Sequence, residues 1–296
     1  DADRADAILT TIRASGSAIL LISHDLELVL RHADRIALCE GGRIVETGTP
    51  RQLSSSQSLY ARTLFSAAAR PARRQSKRPG AICLSGKKLT RRYGAHTALS
   101  DCDIAVKSGE ILGITGPSGC GKSTLLRLLA GLERPDAGTL QRAATLARPG
   151  AIMPVFQDPV ASLNSRWPIW RSLTEPLTAP HLPPLSPKRH KEQAALVLDQ
   201  LGLGGIDPES LPGELSSGQC QRVSVARASI ARPALILADE PTSALDTLAK
   251  RQVLDLLTTA AEAGTAVVLV SHDRNMLNQL AERVLVMHDG RLTDAG

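Results

Sequence analysis

Short, continuous apolar runs alternate with amphipathic stretches along most of the chain. The runs Ile111–Ile114, Leu235–Ala238 and Ala266–Val270 contain no polar side chain and have the length of strands. Such runs are typical of strands that a parallel sheet buries on both faces, and amphipathic stretches such as Thr247–Ala263 suit helices that pack on it. The pattern predicts an α/β fold with a mainly parallel sheet flanked by helices. All these apolar runs fall far short of the roughly 20 residues that a membrane-spanning helix needs.

Two segments depart from this pattern. Residues Ala81–Glu110 alternate apolar and polar positions around glycine turns, which predicts a small antiparallel sheet. Residues Ser162–Leu211 hold both tryptophans and several prolines, with helical periodicity over Trp170–Leu177 and Lys188–Leu201. We expect this second segment to form an inserted helical subdomain. A further strand is predicted over Ala151–Gln157.

An internal repeat sets the domain organisation. Residues Ala18–Gly48 align on Ala266–Gly296 without a gap, and a Ser-His-Asp triplet occurs at the same place in both copies. The first copy predicts a helix over Ala5–Ala14, a strand over Ala18–Ile22, another helix, a hairpin and a helix over Gln52–Phe65. The chain therefore begins near the end of one copy and then runs through a second. We expect the tail of a first domain over 1–66, a linker over 67–80 and a complete domain over 81–296.

Charge and cysteine content narrow the class of protein. No acidic residue stands between Glu46 and Asp101, and the predicted linker within this interval is rich in arginine and lysine. We favour a solvated basic linker, with anionic lipid as the second reading. Nucleic acid is not expected as a partner, because aromatic residues make up only 2% of the chain and stacking platforms are scarce. The five cysteines form no CxxC pair, which fits a reducing compartment and argues against a disulfide framework.

The strongest chemical signal is a glycine-rich loop between a predicted strand and a predicted helix. Its sequence GPSGCGKST matches GxxxxGK[ST], in which glycines let backbone N–H groups turn inward around phosphates while a helix N-terminus points at them. Lys122 would reach the terminal phosphates, and Ser123 would offer its hydroxyl to a magnesium ion. The chain is therefore expected to bind a nucleoside triphosphate. The loop comprises Gly116, Pro117, Ser118, Gly119, Cys120, Gly121, Lys122, Ser123 and Thr124.

Other candidate residues stand at the ends of predicted elements. Asp239 and Glu240 follow the strand Leu235–Ala238, where the first acid is placed to hold magnesium and the second to take a proton from water. Gln157 ends another predicted strand, where it would ligate magnesium or hold a water for catalysis, or is ordinary polar surface. Tyr93, upstream of the loop, is either a stacking partner for a base or an ordinary strand-end tyrosine. Ser216 and Ser217 can cap a helix whose N-terminus is a further anion site.

The order of these motifs resembles the ATP-binding subunits of ABC transporters over Ala81–Gly296. The resemblance implies the P-loop NTPase fold of the ABC type, with ATP and Mg²⁺ as cofactors. It implies that Tyr93 stacks on adenine and that Gly116–Thr124 is the Walker A loop. Gln157 is similar to the Q-loop glutamine, which with Ser123 and Asp239 would hold the magnesium ion.

The resemblance also assigns the remaining roles. Glu240 corresponds to the catalytic glutamate, His272 to the switch histidine, Asp246 to the D-loop aspartate and His24 to the switch histidine of the first copy. The signature motif, which binds the ATP of a partner domain, corresponds to Leu215, Ser216, Ser217, Gly218 and Gln219. Ser217 stands where the family has glycine, and we expect activity to be retained.

Within the family, the segment VFQDPVASLNSRWPIWRSLTEPL is similar to that of importers for oligopeptides, dipeptides and nickel. The implied partners are two permease subunits, a second ABC ATPase domain and, indirectly, an extracytoplasmic solute-binding protein. The implied location is peripheral, on the cytoplasmic face of the inner membrane. Two alternatives remain: a soluble tandem ABC protein acting on ribosomes, and an ABC-like component of a carbon-phosphorus lyase complex. The short, proline-bearing predicted linker disfavours the first alternative.

Overall fold

The computed structural model describes residues 2–23, 25–68, 80–243 and 245–294. Contacts among its residues divide the chain into two units. The first comprises 1–71 with 245–251, and the second comprises 72–244 with 252–296. The predicted linker falls almost wholly on 69–79, which lies outside the described residues, as does His24.

The first unit is a small α/β assembly built on a hairpin. Ile36 and Leu38 on one face of the hairpin pack with Leu53 and Ala61 in a small apolar core. The predicted first helix and the hairpin are confirmed. The elements are α1 Ala2–Ala14, α2 Leu26–His32, β1 Ile36–Glu40, β2 Arg43–Gly48, α3 Pro50–Ser54 and α4 Leu59–Ala68.

Two predictions for this unit are wrong. Residues Ala18–Ile22 are not a strand, and Leu20 and Ile22 are 91% and 90% exposed. Their counterpart in the second copy lies between two parallel strands, whereas the strands among the described residues of the first unit are the antiparallel pair β1 and β2, and this segment pairs with neither. The predicted helix Gln52–Phe65 is broken into α3, which ends at Ser54, and α4, which begins at Leu59. Ser58 stands directly before α4, and its hydroxyl accepts a hydrogen bond from Ala61 N at 3.4 Å, so it caps the start of a new helix.

The second unit contains two sheets. A three-stranded antiparallel sheet has the order β4-β3-β6, with β3 Ile82–Tyr93, β4 His96–Lys107 and β6 Ala137–Arg142. It confirms the predicted small antiparallel sheet and adds one strand to it. The six-stranded sheet has the order β11-β10-β5-β9-β8-β7, and all its pairs are parallel except β10 with β11. Its strands are β5 Ile111–Thr115, β7 Ile152–Val155, β8 Leu235–Asp239, β9 Ala266–Val270, β10 Arg283–His288 and β11 Arg291–Asp294.

Three adjacent strands of this sheet, β5, β9 and β8, are buried along their whole length, as their apolar sequences predict. Leu112, Leu237 and Val268 join the same core as residues of the small sheet and of the helix after the glycine-rich loop. The α-helices of this unit are α5 Lys122–Ala130, α6 Ile169–Thr174, α7 Pro187–Gln200, α8 Ser217–Ile230, α10 Arg274–Leu280 and part of α9 Thr247–Glu262.

The predicted helical subdomain is confirmed and has a core of its own. Ile169, Leu173, Leu198 and Val223 pack together from α6, α7 and α8. The helix predicted over Trp170–Leu177 is shorter than expected, since a 3₁₀ turn over Glu175–Thr178 replaces its end. Proline at this turn has no N–H to continue an α-helix.

Among the described residues, no helix combines the length and apolar character needed to cross a bilayer.

Candidate functional site

Most of the candidate residues lie at one edge of the six-stranded sheet. Four parallel strands are adjacent there in the order β5-β9-β8-β7. Gly116 follows β5, His272 closely follows β9, Asp239 and Glu240 end and follow β8, and Gln157 closely follows β7. Because the carboxyl ends of parallel strands lie on the same side of a sheet, these residues come together at those ends, where open α/β sheets bind ligands.

The glycine-rich loop depends on backbone conformations that favour glycine. Gly116, Gly119 and Gly121 have φ values of 155°, 77° and 109°. A Cβ atom at Gly116 would collide with the carbonyl oxygen of Met287, and one at Gly121 would collide with that of Ala98. The two outer glycines therefore let the loop pass close to neighbouring backbone, and Gly121 directly precedes α5.

Lys122 lies inside this loop. Its Nζ donates hydrogen bonds to the carbonyl oxygens of Gly116 at 2.8 Å and Pro117 at 2.7 Å, and the residue is 6% exposed. A buried ammonium is costly without acceptors, and here the loop carbonyls supply them. The loop thus holds a cation next to the positive N-terminus of α5, an arrangement suited to a polyanion.

Ser123, Gln157 and Asp239 line one cavity of about 730 Å³ beside α5. Asp239 is 8% exposed, and its carboxylate accepts no hydrogen bond from the described residues. A hydroxyl, an amide and a carboxylate are the hard oxygen donors that Mg²⁺ prefers. No cluster of three or more His, Cys, Asp or Glu side chains within the described ranges offers another metal site.

Glu240 and His272 contact each other across the ends of β8 and β9. His272 Nε2 lies 2.5 Å from Glu240 Oε1. Glu240 has φ of 49°, a left-handed conformation that is strained for a residue with a side chain, and its N–H donates to Val270 O at 3.1 Å. A strained backbone conformation at Glu240 therefore accompanies the placement of its carboxylate beside an imidazole. The cavity lined by Asp239 does not include Glu240, His272 or Lys122 among its lining residues.

The serine-rich motif forms a capped helix start. Ser216 is the N-cap of α8: its hydroxyl accepts from Gln219 N at 3.3 Å, and Gln219 Oε1 accepts from Ser216 N at 2.7 Å. Leu215 precedes this capping box, while Ser217 and Gly218 form the first turn of α8. Both serines are exposed, so the positive end of a 14-residue helix is open to solvent.

Tyr93 ends β3 and is 42% exposed. Arg91 Cζ lies 4.9 Å from the centre of its ring, and the Tyr93 hydroxyl donates a hydrogen bond to Glu133. The interaction with Tyr93 and the charges of Asp136 and Glu133 raise the pKa of Arg91, so its guanidinium stays charged.

Asp246 belongs to the first unit, where its Oδ1 accepts a hydrogen bond from Ala249 N at 2.8 Å at the start of α9. It caps this helix as aspartate commonly does.

Comparison with known proteins decides the family. The ABC transporter family model matches residues 99–243. The probable D,D-dipeptide transport ATP-binding protein DdpF of Escherichia coli is 40% identical over 67% of this chain and 63% of its own length. The nickel import ATP-binding protein NikE of Rhodospirillum rubrum is 37% identical over 70% of this chain and 78% of its own length. The chain belongs to the ABC transporter family of ATP-binding proteins.

A solved structure of this family supports the same fold. The ATP-binding cassette MJ0796, described as a dimer in a post-hydrolysis state bound to ADP and Pi, has a TM-score of 0.64 and 30% identity over 71% of this chain and 96% of its own. The ABC-type fold predicted from the sequence is confirmed.

The ABC relatives differ in what their names say they import. Besides dipeptides and nickel, they include a methionine import protein of Nocardia farcinica, 38% identical over 67% of this chain and 61% of its own length. The chain also spans only 63% of DdpF. The peptidoglycan transport ATP-binding protein YejF of Agrobacterium fabrum is 32% identical over 95% of this chain, which spans 55% of it.

Two residues at the candidate site were not predicted from the sequence. Arg127 lines the cavity next to Ser123, and Glu133 contacts Tyr93 from 40 positions away. Arg127 could have been found from its place on the exposed face of α5. Glu133 carried no local signal, because its contact depends on how the loop after α5 returns to the small sheet.

Proposed function

We propose that the chain is the ATP-binding and ATP-hydrolysing subunit of an ABC importer. The observation that carries the proposal is the buried Lys122 ammonium inside a glycine loop at the N-terminus of α5. In this proposal Gly116–Thr124 surrounds the phosphates with backbone N–H groups, and Lys122 turns from the loop carbonyls to the terminal phosphates.

Hydrolysis is assigned to the pair at the ends of β8 and β9. Glu240 is the general base that takes a proton from the attacking water, and His272 orients its carboxylate. The 2.5 Å separation of the two side chains supports this division of roles. Tyr93 stacks on the adenine.

The donor set around Asp239 fits magnesium. Ser123, Gln157 and Asp239 share one cavity, and Asp239 is a buried carboxylate without a hydrogen-bond partner among the described residues. These three residues would hold the ion, which neutralises charge on the phosphates when bound.

The exposed start of α8 is assigned to a second cassette. Leu215–Gln219 would present the helix N-terminus to the ATP held by a partner domain, so that two domains enclose two nucleotides. Ser217, in place of the family's glycine, adds a hydroxyl at this surface. Asp246 is proposed to face the same partner.

We also propose that the first unit is the C-terminal part of another cassette. The repeat of 18–48 at 266–296 and the match to YejF over 95% of this chain support it. In that cassette, His24 is the counterpart of His272. The division into 1–66, a basic linker over 67–80 and a complete domain over 81–296 belongs to the same proposal.

For the solute we propose peptides or nickel and other metal chelates. The dipeptide and nickel proteins among the relatives support this class. The chain would act as a peripheral protein at the cytoplasmic face of the plasma membrane, with two permease subunits and, indirectly, an extracytoplasmic solute-binding protein.

Nucleotide binding is the first test. Lys122→Ala should weaken equilibrium binding of Mg-ATP by at least about 30-fold, the scale for losing a buried hydrogen-bonded charge. Lys87→Ala is the matched control, because Lys87 is an exposed lysine paired with Asp103 on the small sheet. Unchanged binding in Lys122→Ala would refute the assignment of the phosphate loop.

The importer role needs a separate test. Affinity purification of the native complex should recover two permease subunits with this protein. Recovery of carbon-phosphorus lyase subunits or of ribosomes instead would refute the transport role and leave the nucleotide site intact.

A further inference from the structure

Glu133 lies in the loop after α5 and contacts the aromatic residue that would stack on the nucleobase. The Tyr93 hydroxyl donates to Glu133 Oε2 at 2.5 Å, and Arg91 Nε donates to the same oxygen at 3.0 Å. A single carboxylate oxygen therefore fixes both the tyrosine and the arginine near the end of β3. Charge-assisted hydrogen bonds of this kind are stronger than neutral ones.

Arg91 limits where a base can stack. Its guanidinium carbon lies 4.9 Å from the centre of the Tyr93 ring, so the cation covers one face of the ring. A base would stack on the opposite face. Asp136 holds Arg91 from another side, with its Oδ1 3.0 Å from Arg91 Nη1.

Glu133 is also tied to the end of α5. The N–H groups of Leu132 and Glu133 donate to Arg127 O at 3.0 and 3.3 Å, and Arg127 Nη1 lies 3.8 Å from Glu133 Oε1. The helix α5 starts at Lys122 in the phosphate loop. One rigid helix therefore carries the phosphate-binding lysine at its start and the carboxylate that holds Tyr93 just beyond its end.

We propose that Glu133 is a positioning residue for the nucleobase: with Arg91, it fixes the ring of Tyr93 at a set distance from the phosphate loop. The proposal rests on the proposed function, because it requires an adenine nucleotide in that loop.

Comparing the affinities for two ligands distinguishes an effect on binding of the base from an effect on binding of the phosphates. In equilibrium binding to the full 296-residue chain, Glu133→Ala should weaken ATP about five- to tenfold and leave inorganic tripolyphosphate unchanged. Tyr93→Phe, which removes only the hydroxyl, should lose part of the same affinity. The double variant should bind ATP no more weakly than Glu133→Ala alone, because both changes break one interaction.

The control is Asp103→Asn, which alters an exposed carboxylate on the same small sheet that pairs with Lys87 and not with Tyr93. It should change the affinity for neither ligand. If Glu133→Ala does not fold, Glu133→Gln serves the same test: it keeps the shape and an acceptor, and ATP binding should fall only about two- to threefold.

The outcomes are distinct. Unchanged ATP affinity in a folded Glu133 variant, or an equal loss for ATP and tripolyphosphate, would overturn the proposal. A wild-type chain that binds neither ligand would instead overturn the proposed function.

Discussion

Gly121, the residue before α5, packs so closely against β4 that a single methyl group should destabilise the second unit. In Gly121→Ala the new Cβ would collide with the carbonyl oxygen of Ala98, a backbone atom that cannot rotate away. The residue also has φ of 109°, outside the range that alanine prefers. Gly119→Ala is the matched change, because Gly119 has φ of 77° in the same loop and its Cβ would meet no atom within 4 Å.

The difference in unfolding free energy between the two variants measures the cost of the collision with Ala98. Left-handed backbone costs a non-glycine residue about 1–2 kcal/mol, and both variants bear this cost. Overpacking adds about 1–3 kcal/mol and applies to Gly121→Ala only. We therefore expect a loss of unfolding free energy of about 2–5 kcal/mol for Gly121→Ala and about 1–2 kcal/mol for Gly119→Ala.

Tryptophan fluorescence can follow this unit by itself, because the only two tryptophans, Trp167 and Trp170, both lie in it. Urea unfolding without nucleotide would give the two free energies, and the midpoint should move further for Gly121→Ala at an unchanged slope. Equal destabilisation of the two variants would contradict this prediction, since it would mean that the close approach to Ala98 costs nothing.

Two further predictions concern catalysis and thiol chemistry. Glu240→Gln in a complete assembly should slow ATP hydrolysis about 100-fold or more and leave ATP binding intact, because it removes the general base. The surface change Glu192→Gln is the control and should not slow hydrolysis. Unchanged turnover in Glu240→Gln would exclude Glu240 as the base. Burial raises the pKa of the Cys102 and Cys220 thiols, so at neutral pH they hold less of the reactive thiolate than an ordinary cysteine. Iodoacetamide should therefore label exposed Cys39 at least about tenfold faster than Cys102 and Cys220 in the native protein. Equal labelling rates for the three thiols in the absence of denaturant would contradict this prediction.

Local sequence was enough to predict the central sheet and the position of the loop. Runs such as Leu235–Ala238 are apolar at every position because the sheet buries both of their faces, and the burial of β8 along its whole length confirms this. The glycine pattern before Lys122 predicted a turning loop between a strand and a helix, and a loop with positive φ at Gly116 and Gly121 does lie between β5 and α5.

Features that depend on partners distant in sequence were not predictable in this way. The run Ala18–Ile22 has the pattern of a buried strand, but a strand forms only where neighbouring strands supply hydrogen bonds. The described part of the first unit has the β1-β2 hairpin, and this run pairs with neither of its strands. The contact of Glu133 with Tyr93 joins residues 40 positions apart, which periodicity cannot reveal. The break between α3 and α4 was predictable, because the serine-rich sequence before α4 carries a helix-capping signal at Ser58.

The exposed run 18–22 has a practical consequence for handling the protein. It is a five-residue apolar segment without charge or proline, and Leu20 and Ile22 stand almost fully in solvent. Segments of this composition readily add to a free strand edge of another molecule. Association of chains through this run is therefore expected to be slower in Leu20→Lys than in the unchanged chain, and light scattering of concentrated solutions would measure the difference.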